Sequence, residues 1–272
     1  MTFREKIQQK EFMITSEVTP PKGTDLSEVM GDAEILRGRV DALTVTDGKN
    51  SVMAMAPLVV GHLLQRKGFE VILNMSCRDR NRLALQSDLL AATALGIGTV
   101  VVFTGDYASM GDHPQTKPVF DLDSIQLLKV IQKLSSGQDM AGNPLRGRPE
   151  FFVGATVSPL PGTEAAFELQ LLKMEKKVAA GAKFFQTQPV FDVPAFERFM
   201  KRAAGFGIPI LASVLPLKSA SMARFINKNM PGIVVPERLI EEIGNAPDRV
   251  KSSIGICTRL IHELKPLCQG IH

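Results

Sequence analysis

Aromatic residues other than phenylalanine are almost absent from this 272-residue chain, which has no tryptophan and a single tyrosine. Proteins that bind single-stranded nucleic acid without sequence preference stack the bases on aromatic side chains. The chain also lacks a run of the roughly 20 apolar residues that a membrane-spanning helix needs. Its start, MTFREKIQQK, is charged and lacks the apolar segment of a signal peptide, so no signal peptide is expected. We therefore expect neither a nucleic-acid partner nor a membrane span.

Cysteine is scarce, and the three cysteines, Cys77, Cys257 and Cys268, are odd in number and far apart. They form neither a disulfide framework nor a CxxC metal pair, so a reducing, cytoplasmic location is expected. Cys77 is interpreted as a small buried residue. The net charge of +4 is spread along the chain without a block of lysine and arginine. This mild positive charge suits an anionic small ligand at least as well as nucleic acid.

Short apolar runs rich in β-branched residues recur along the chain, and each is followed by a stretch of helical length. Because these runs are apolar at consecutive positions, they indicate strands buried on both faces, as in a parallel sheet covered by helices. Two of the intervening stretches, 79–95 and 164–180, place apolar residues at helical spacing. We predict eight strands, at 12–18, 41–47, 70–76, 98–106, 151–157, 183–188, 209–215 and a short last strand at 269–272.

Eight strand–helix units in one chain of this length favour a (β/α)8 barrel (TIM barrel) of the α/β class, forming one domain over residues 1–272. An open doubly wound sheet is the alternative. The Gly-x-Gly pairs at 96–98 and 205–207 precede strands, whereas the dinucleotide-binding fingerprint follows one. Two segments interrupt the alternation, an insertion at 107–124 and a Gly/Pro/Arg-rich connector at 138–150. Loops of this length inside a compact domain are often functional.

In a barrel of this kind the active site lies at the carboxyl ends of the strands. The residues there include no histidine and no lysine, which disfavours a histidine–carboxylate metal centre and a Schiff-base aldolase, so we predict no metal site. The amides, hydroxyls and carboxylates that remain suit hydrogen bonding to a heterocycle, with one or two roles in proton transfer. The residues at the ends of the seven longer strands are Ser16, Glu17, Thr19, Thr44, Thr46, Asp47, Asn74, Ser76, Cys77, Thr104, Gly105, Asp106, Thr156, Ser158, Gln186, Thr187, Gln188 and Ser213.

Local sequence gives each candidate a structural and a functional interpretation. Asp47 is interpreted as a turn residue, because Asp-Gly is a common turn pair. Asp106 and Gln188 are left open between capping of the backbone and function, and Lys177 is interpreted as a solvated lysine on a helix. Glu17 is interpreted as functional, because glutamate is unfavoured in strands and a carboxylate buried at a strand end costs free energy unless it is paired or used.

Six motifs occur in order along nearly the whole chain. They are SEVTPPKG, TVTDGKNS, NMSC and FTGD at the first four predicted strands, KKVAAGAKFFQTQPVFD around the sixth, and VLPLKS after the seventh. Each motif is weak alone, but six in this order at barrel spacing are specific. The chain resembles the flavin-dependent 5,10-methylenetetrahydrofolate reductases of the single-domain bacterial type. The resemblance implies a (β/α)8 barrel that holds a flavin, usually FAD, over the carboxyl ends of the strands.

The resemblance also implies a reaction. In this family a reduced nicotinamide, NADH or NADPH, passes hydride to the flavin, and methylenetetrahydrofolate then receives it. By position, Glu17 resembles the general acid that protonates N10 of the folate and opens its five-membered ring. We expect burial to raise the pKa of this acid above its usual value of about 4.3. Asp106 resembles the second catalytic carboxylate, which lies near the flavin and contacts the pterin.

The remaining matches imply ligand contacts. Lys177 resembles a helix lysine that meets the cofactor phosphates, and Gln188 resembles a residue that contacts folate and nicotinamide in turn. Phe225 and Ile226 are alternative positions for an aromatic residue that stacks on the substrate. Cofactor contacts are implied at Thr46, Asp47, Asn74, Thr104, Gly105, Asp106, Val157 and Lys177, and substrate contacts at Gln188, Met222 and Phe225.

Four positions depart from the family pattern. Asn74 stands where better-known bacterial enzymes carry a histidine, and Gln170 stands where an aspartate usually meets the adenosine end of FAD. Val157 and Pro161 occupy positions expected to hold a tyrosine and a histidine. The adenosine half of the site is therefore the weakest part of the match, and FMN, or a loosely held FAD, is an alternative cofactor.

Other segments, GDHP, KPVFDLDS and LPLKSASMARFINKNMPG, are similar to a branch of the family found partly in anaerobes. In that branch the reductase can pair with a zinc- or iron–sulfur-containing subunit, so the electron donor and a homo- or hetero-oligomeric state stay open. The short last strand fits either a truncated chain or a partner that completes the barrel. Two other functions stay open, a pterin-binding barrel that transfers a methyl group without flavin and a non-catalytic barrel subunit that supports a redox partner.

Overall fold

The fold is described by a computed structural model over residues 1–160 and 162–272, so that Pro161, one of the positions that depart from the family pattern, lies outside the described residues. Within them, eight parallel strands are hydrogen-bonded in chain order as a closed barrel, with helices between successive strands. The predicted α/β class and (β/α)8 barrel are confirmed.

Each strand begins one residue after its predicted start, because consecutive β-branched and aromatic residues mark the buried runs well. In β2 and β7, for example, all four residues are buried. The strands are β1 Met13–Val18, β2 Ala42–Val45, β3 Val71–Ser76, β4 Thr99–Phe103, β5 Phe152–Val157, β6 Phe184–Pro189, β7 Ile210–Ser213 and β8 Gly270–Ile271.

The helices depart from a simple repeat at both ends of the described chain. A short helix precedes β1, and three helices instead of one lie between β7 and β8. None of the described helices is long and apolar enough to cross a membrane. The helices are α1 Phe3–Gln8, α2 Ser27–Leu36, α3 Pro57–Arg66, α4 Arg82–Ala94, α5 Ser124–Ser135, α6 Glu164–Ala179, α7 Val193–Ala203, α8 Ala220–Asn229, α9 Glu237–Asn245 and α10 Arg249–Leu264.

The chain divides into two compact units, and the first consists of residues 1–155 and 176–183. Its strands pair in parallel register, so that Glu17 lies opposite Thr44, which lies opposite Ile72. Thr44 and Ile72 are fully buried. The register therefore sets the ends of β1, β2 and β3 beside one another above a dry core.

The second unit consists of residues 156–175 and 184–272, and in it β6 pairs with β7 and β7 with β8. The fully buried Phe199 of α7 contacts the ring of Phe167 of α6 edge-on, with the ring centroids 6.2 Å apart. The prediction of one domain over the whole chain is not tested by this division and stays a prediction.

Candidate active site

Glu17 lies one residue before the end of β1, and 35% of its side-chain surface is exposed. Thr15, on the same face of the strand, is only 4% exposed. Lys49 Nζ donates a hydrogen bond to Glu17 Oε1 and forms an ion pair with it. The expected burial of Glu17 is therefore wrong, because the carboxylate projects beyond the packed part of the strand and meets a cation supplied by the next loop.

A strained turn after β2 holds Lys49 in this place. Asn50 and Ser51, which follow it, have φ angles of +55° and +59°. Left-handed backbone is costly for residues other than glycine and persists where surrounding contacts enforce it. Ser51 Oγ donates to the Tyr107 carbonyl at 3.0 Å and accepts from Arg78 Nη1 at 2.8 Å. These bonds tie the turn to the segments that follow β3 and β4.

Asp47, at the start of the same turn, is buried and 7% exposed. Its Oδ2 accepts a hydrogen bond from the Ser76 backbone N–H at 2.7 Å and forms an ion pair with Arg80. Burial raises the pKa of the Asp47 carboxyl, while Arg80 opposes that rise and keeps its own charge. The predicted turn is present, since Gly48 has a φ of +55°. The Asp47 side chain, however, braces the ends of β2 and β3.

The segments after β2, β3 and β4 surround a cavity of about 460 Å³. Arg78 lines the cavity and is 4% exposed, and its guanidinium donates to Asp79 at 2.7 and 2.8 Å. Arg80 lines it too and also donates to Asp88 at 3.0 Å. Because both guanidinium groups are already paired with carboxylates of this chain, they stabilise the loops and do not form an open anion site.

Two polar atoms at the ends of β2 and β3 lack a hydrogen-bond partner within residues 1–160 and 162–272. They are Thr46 Oγ1 and Asn74 Oδ1, and both are buried. Buried polar atoms in native proteins almost always have a partner, so each such orphan requires an explanation. Both residues stand at positions implied to contact a flavin. Their unused hydrogen-bonding capacity fits a polar ligand edge that brings its own donors and acceptors.

The end of β4 carries the FTGD motif. Gly105 has a φ of +101°, and a Cβ built there would lie 2.5 Å from Ser76 Oγ, so a side chain does not fit. Thr104, just before it, is exposed, and its Oγ1 lies 3.3 Å from Ser124 Oγ. Asp106, just after it, is exposed at the mouth of the strand. The exposed Asp106 carboxylate is therefore open to a ligand.

Two further residues of the first unit are Lys177, an implied cofactor contact, and Cys77, directly after β3. Lys177 lies in the last turn of α6 and is half-buried, unlike the fully solvated lysine that the helical pattern indicated. Cys77 is fully buried, and burial raises the pKa of its thiol to about 12. The interpretation of Cys77 as an inert buried residue is confirmed.

The second unit places uncharged polar groups at its strand ends. Val157 ends β5 and is buried, and Ser158 follows it. Ser158 Oγ donates to Gln188 Oε1 at 2.8 Å. Gln188, near the end of β6, is half-buried. A hydroxyl–amide pair therefore stands at the ends of β5 and β6.

A register shift in β6 coincides with the position of Gln188. The pairing of β6 with β7 is irregular between Gln186 and Pro189. Ser213 Oγ donates to the Thr187 carbonyl at 2.6 Å, and Thr187 Oγ1 accepts from the Ser213 N–H at 3.0 Å. Bulges of this kind re-aim side chains near active sites. These two hydrogen bonds hold Thr187 against Ser213, and they therefore restrain the backbone next to Gln188.

The helix after β7 carries the two implied substrate contacts of this region. Phe225 is 61% exposed, whereas Ile226 is 2% exposed. Of the two alternatives for a stacking residue, Phe225 is therefore the one that a ligand can reach. Met222 is half-buried, and its Sδ accepts from the Lys218 N–H at 3.5 Å.

Sequence reasoning missed three residues of this region. Lys49 lies within the motif TVTDGKNS, but its contact with Glu17 joins the ends of two strands and is not visible in the sequence. Arg80 likewise contacts Asp47 from the segment after the next strand. Ser158 was noted as a strand-end residue without its link to Gln188. The signal for Lys49 was its place inside a motif. No group of histidine, cysteine and carboxylate side chains among the described residues is arranged to hold a metal ion.

An acid at the end of the first strand and unpaired polar atoms at the next two are features suited to a barrel that binds a small ligand at its strand ends. A protein from Clostridium thermocellum, described as binding two copies of 5-methyl-5,6,7,8-tetrahydrofolic acid, shares this fold with a TM-score of 0.66 at 18% identity, over 98% of this chain and 90% of that one. Xylanase 10B from Thermotoga maritima has a TM-score of 0.51 at 10% identity, over 100% of this chain and 85% of that one. At these identities the likeness shows the fold alone.

The chain belongs to the methylenetetrahydrofolate reductase family, whose sequence model matches residues 2–272. The 5,10-methylenetetrahydrofolate reductases of Pectobacterium carotovorum and Salmonella typhimurium are 24% and 23% identical over 78% and 79% of this chain. A probable methylenetetrahydrofolate reductase (NADPH) of Caenorhabditis elegans is 23% identical over 68% of it. The chain spans 66% and 68% of the two bacterial proteins and 26% of the nematode one. The family resemblance read from the motifs is confirmed.

Proposed function

We propose that this chain reduces 5,10-methylenetetrahydrofolate to 5-methyltetrahydrofolate in the cytoplasm with the help of a bound flavin. The observation that carries the proposal is the family match over residues 2–272, with a solvent-accessible carboxylate, Glu17, at the end of β1. The Clostridium thermocellum neighbour, described as binding 5-methyltetrahydrofolic acid, adds support for a folate ligand.

Glu17 is proposed as the general acid. It gives one proton to N10 of the folate, which breaks the bond between N10 and the methylene carbon and leaves an iminium at N5. Lys49 contacts the Glu17 carboxylate in this structure, so we propose that folate displaces Lys49 from Glu17 when it binds.

A bound flavin, once reduced by the electron donor, would supply a hydride to the methylene carbon; with the proton this would complete a two-electron reduction and leave the flavin oxidised. Thr46 Oγ1 and Asn74 Oδ1 have the unused hydrogen-bonding capacity to hold its polar edge. Asp106 is proposed to lie near the same edge and to contact the pterin. Thr104, Gly105 and Asp47 are proposed as further cofactor contacts of the first unit, and Val157 as one of the second. Lys177 is proposed to hold the phosphates of FAD or FMN.

Gln188, Met222 and Phe225 of the second unit are proposed to bind the folate. Gln188 offers an amide for hydrogen bonding, and the exposed ring of Phe225 offers a face for stacking. NADH or NADPH is proposed as the donor, with a zinc- or iron–sulfur-containing partner subunit as the other source of electrons. A homo- or hetero-oligomer is proposed for the assembled enzyme.

The test begins with the purified protein and its absorbance. Uptake of FAD or FMN, bleaching by NADH, NADPH or a reduced low-potential carrier, and formation of 5-methyltetrahydrofolate on addition of the methylene compound are the expected results. The donor that bleaches the flavin identifies the source of electrons. A protein that takes up neither flavin contradicts the proposal and leaves methyl transfer without flavin as the better account.

A further inference from the structure

The amide of Gln188, proposed above as a folate contact, is paired with the hydroxyl of Ser158, a residue to which the proposed function assigns no role. Ser158 Oγ lies 2.8 Å from Gln188 Oε1 and 3.5 Å from the carbonyl oxygen of Gly232. All three residues belong to the second unit. A serine hydroxyl has one hydrogen to donate, so the two oxygens compete for it.

The two distances decide this competition. Hydrogen bonds between oxygens are usually about 2.5–3.0 Å long, and most often about 2.7–2.8 Å. The Ser158 hydrogen therefore points at Gln188 Oε1, not at the Gly232 carbonyl. In the opposite orientation the amide nitrogen would donate to Ser158 and the hydroxyl hydrogen would depend on the longer contact. The orientation in which Gln188 Oε1 accepts is therefore the one that gives the Ser158 hydrogen its shorter bond.

With Oε1 engaged, Gln188 presents its nitrogen. Gln188 Nε2 makes no hydrogen bond to any residue of the described ranges 1–160 and 162–272, so both of its hydrogens are available. Gly232 closes the other side of the pair. A Cβ at this position, where φ is +85°, would lie 2.3 Å from Ser158 Oγ and 2.9 Å from Gln188 Oε1. Only glycine fits at position 232 beside the pair, and this close packing leaves the Gln188 amide little room to rotate.

We propose that Ser158 is a positioning residue that fixes Gln188 as a hydrogen-bond donor, so that the second unit selects a ligand edge bearing an acceptor, a ring carbonyl oxygen or an unprotonated ring nitrogen of a pterin. This inference rests on the proposed function, because it assigns a polarity to one of the folate contacts. Without Ser158 the amide oxygen and nitrogen exchange places by rotation about the last side-chain bond. An amide that presents its oxygen to an acceptor repels it.

The test is the equilibrium binding of 5-methyltetrahydrofolate to the flavin-loaded protein, measured by titration calorimetry. We expect Ser158→Ala to weaken binding about tenfold, the scale of one neutral hydrogen bond, and Ser158→Thr, which keeps the hydroxyl, to restore most of it. Ser252→Ala on α10 is the matched control and should bind like the parent. In turnover, Ser158→Ala should raise KM for the folate more than it lowers kcat, with flavin reduction unchanged.

A double-mutant cycle separates positioning from a general loss of structure. Once Gln188→Met has removed the amide, adding Ser158→Ala should weaken binding no further. Two independent, additive losses would overturn the inference. The donor polarity has its own test, which leaves Ser158 intact: Gln188→Glu, which has only acceptors, should bind more weakly than Gln188→Met, and tighter binding by Gln188→Glu would overturn the assignment.

The outcomes for the proposed function and for this inference differ. A parent protein that binds flavin but no 5-methyltetrahydrofolate overturns both. A parent that binds the folate, with a folded Ser158→Ala variant that binds it equally well, leaves the function standing and overturns only the role of Ser158.

Discussion

In the first unit the strand ends carry paired charges, whereas in the second they carry hydroxyls and an amide. Glu17 with Lys49 and Asp47 with Arg80 belong to the first unit. The second has the pair of Ser158 and Gln188. Ionised groups move protons and hold charge, while neutral groups fix the orientation of a ring. We therefore propose that the first unit carries out the chemical step and that the second recognises the ligand.

The two kinds of pair also differ in what their loss costs. Removing one partner of a buried ion pair leaves an uncompensated charge and costs about 3–5 kcal/mol. Losing one neutral hydrogen bond costs about 1 kcal/mol. Variants in the first unit should therefore show large effects on rate or stability, and variants in the second should mostly change ligand affinity.

The largest effect is expected at Glu17. Glu17→Gln removes the proton donor and keeps the shape of the side chain, so folate reduction should fall by about 10²–10⁴-fold, the usual contribution of general acid catalysis. Flavin binding and flavin reduction by the donor should stay at parent levels. Rapid mixing of the reduced enzyme with methylenetetrahydrofolate measures the step directly. Glu28→Gln, an exposed carboxylate of α2 in the same unit, is the control. Equal loss of flavin reduction would contradict the assigned role.

The buried pair of Asp47 and Arg80 should give the largest stability effect. Arg80 and Asp47 side chains are 19% and 9% exposed, so Arg80→Met leaves a buried carboxylate without its cation and should lower the free energy of unfolding by about 3–5 kcal/mol. Urea unfolding followed by circular dichroism measures this. Arg82→Met is the matched control, because Arg82 pairs with Asp121 at the surface with a side chain 49% exposed. Its loss should cost at most about 1 kcal/mol. Similar losses of unfolding free energy in both variants would contradict the distinction between a buried and a surface ion pair.

In the second unit, Gly232→Ala should affect stability and ligand binding together. The new Cβ would meet Ser158 Oγ at 2.3 Å in a backbone conformation with φ of +85°, so we expect a loss of about 1–3 kcal/mol and weaker folate binding. Gly205→Ala, which has open space around its Cβ, is the control. Thermal unfolding and calorimetric folate titration measure the two effects. A fully stable Gly232→Ala that binds folate normally would show that the Ser158–Gln188 pair is not confined.

The smallest effect concerns pH. Arg82 holds the pKa of Asp121 at about 2, below its ordinary value. A carboxylate with a lowered folded-state pKa stabilises the fold above its unfolded-state pKa of about 3.9, and that contribution disappears as pH falls toward about 2. Thermal unfolding of the parent and of Asp121→Asn should therefore differ slightly at pH 6 and converge between pH 4 and pH 2. A difference that grows with acidification would contradict this origin.

The strands could be located from the sequence because consecutive β-branched residues produce a buried run that depends only on local pattern. Asp47 shows where this fails. The pair Asp-Gly correctly predicted a turn, but burial of the Asp47 carboxylate depends on Arg80, 33 residues later. The exposure of Glu17 likewise depends on where β1 leaves the core and on Lys49, 32 residues away. Such contacts arise only when the barrel register brings separate strand ends together.

The order of the motifs identified the candidate residues, but it did not show which of their atoms donate or accept hydrogen bonds. The sequence placed Ser158 and Gln188 at strand ends, but the hydrogen bond between them is seen only when the fold brings the ends of β5 and β6 together. The sequence pattern predicted one stretch of helical length after each strand, so it did not predict the three helices between β7 and β8.

The central claim is that the first unit protonates a folate while a bound flavin reduces it, and one anaerobic stopped-flow experiment tests it most directly. The flavin-loaded protein is reduced and mixed with methylenetetrahydrofolate, and the flavin absorbance is followed with product analysis. The account predicts that the absorbance returns in one phase, that one 5-methyltetrahydrofolate forms per flavin, and that Glu17→Gln suppresses both. Absorbance that does not return in the parent protein, or that returns equally fast in Glu17→Gln, would contradict it.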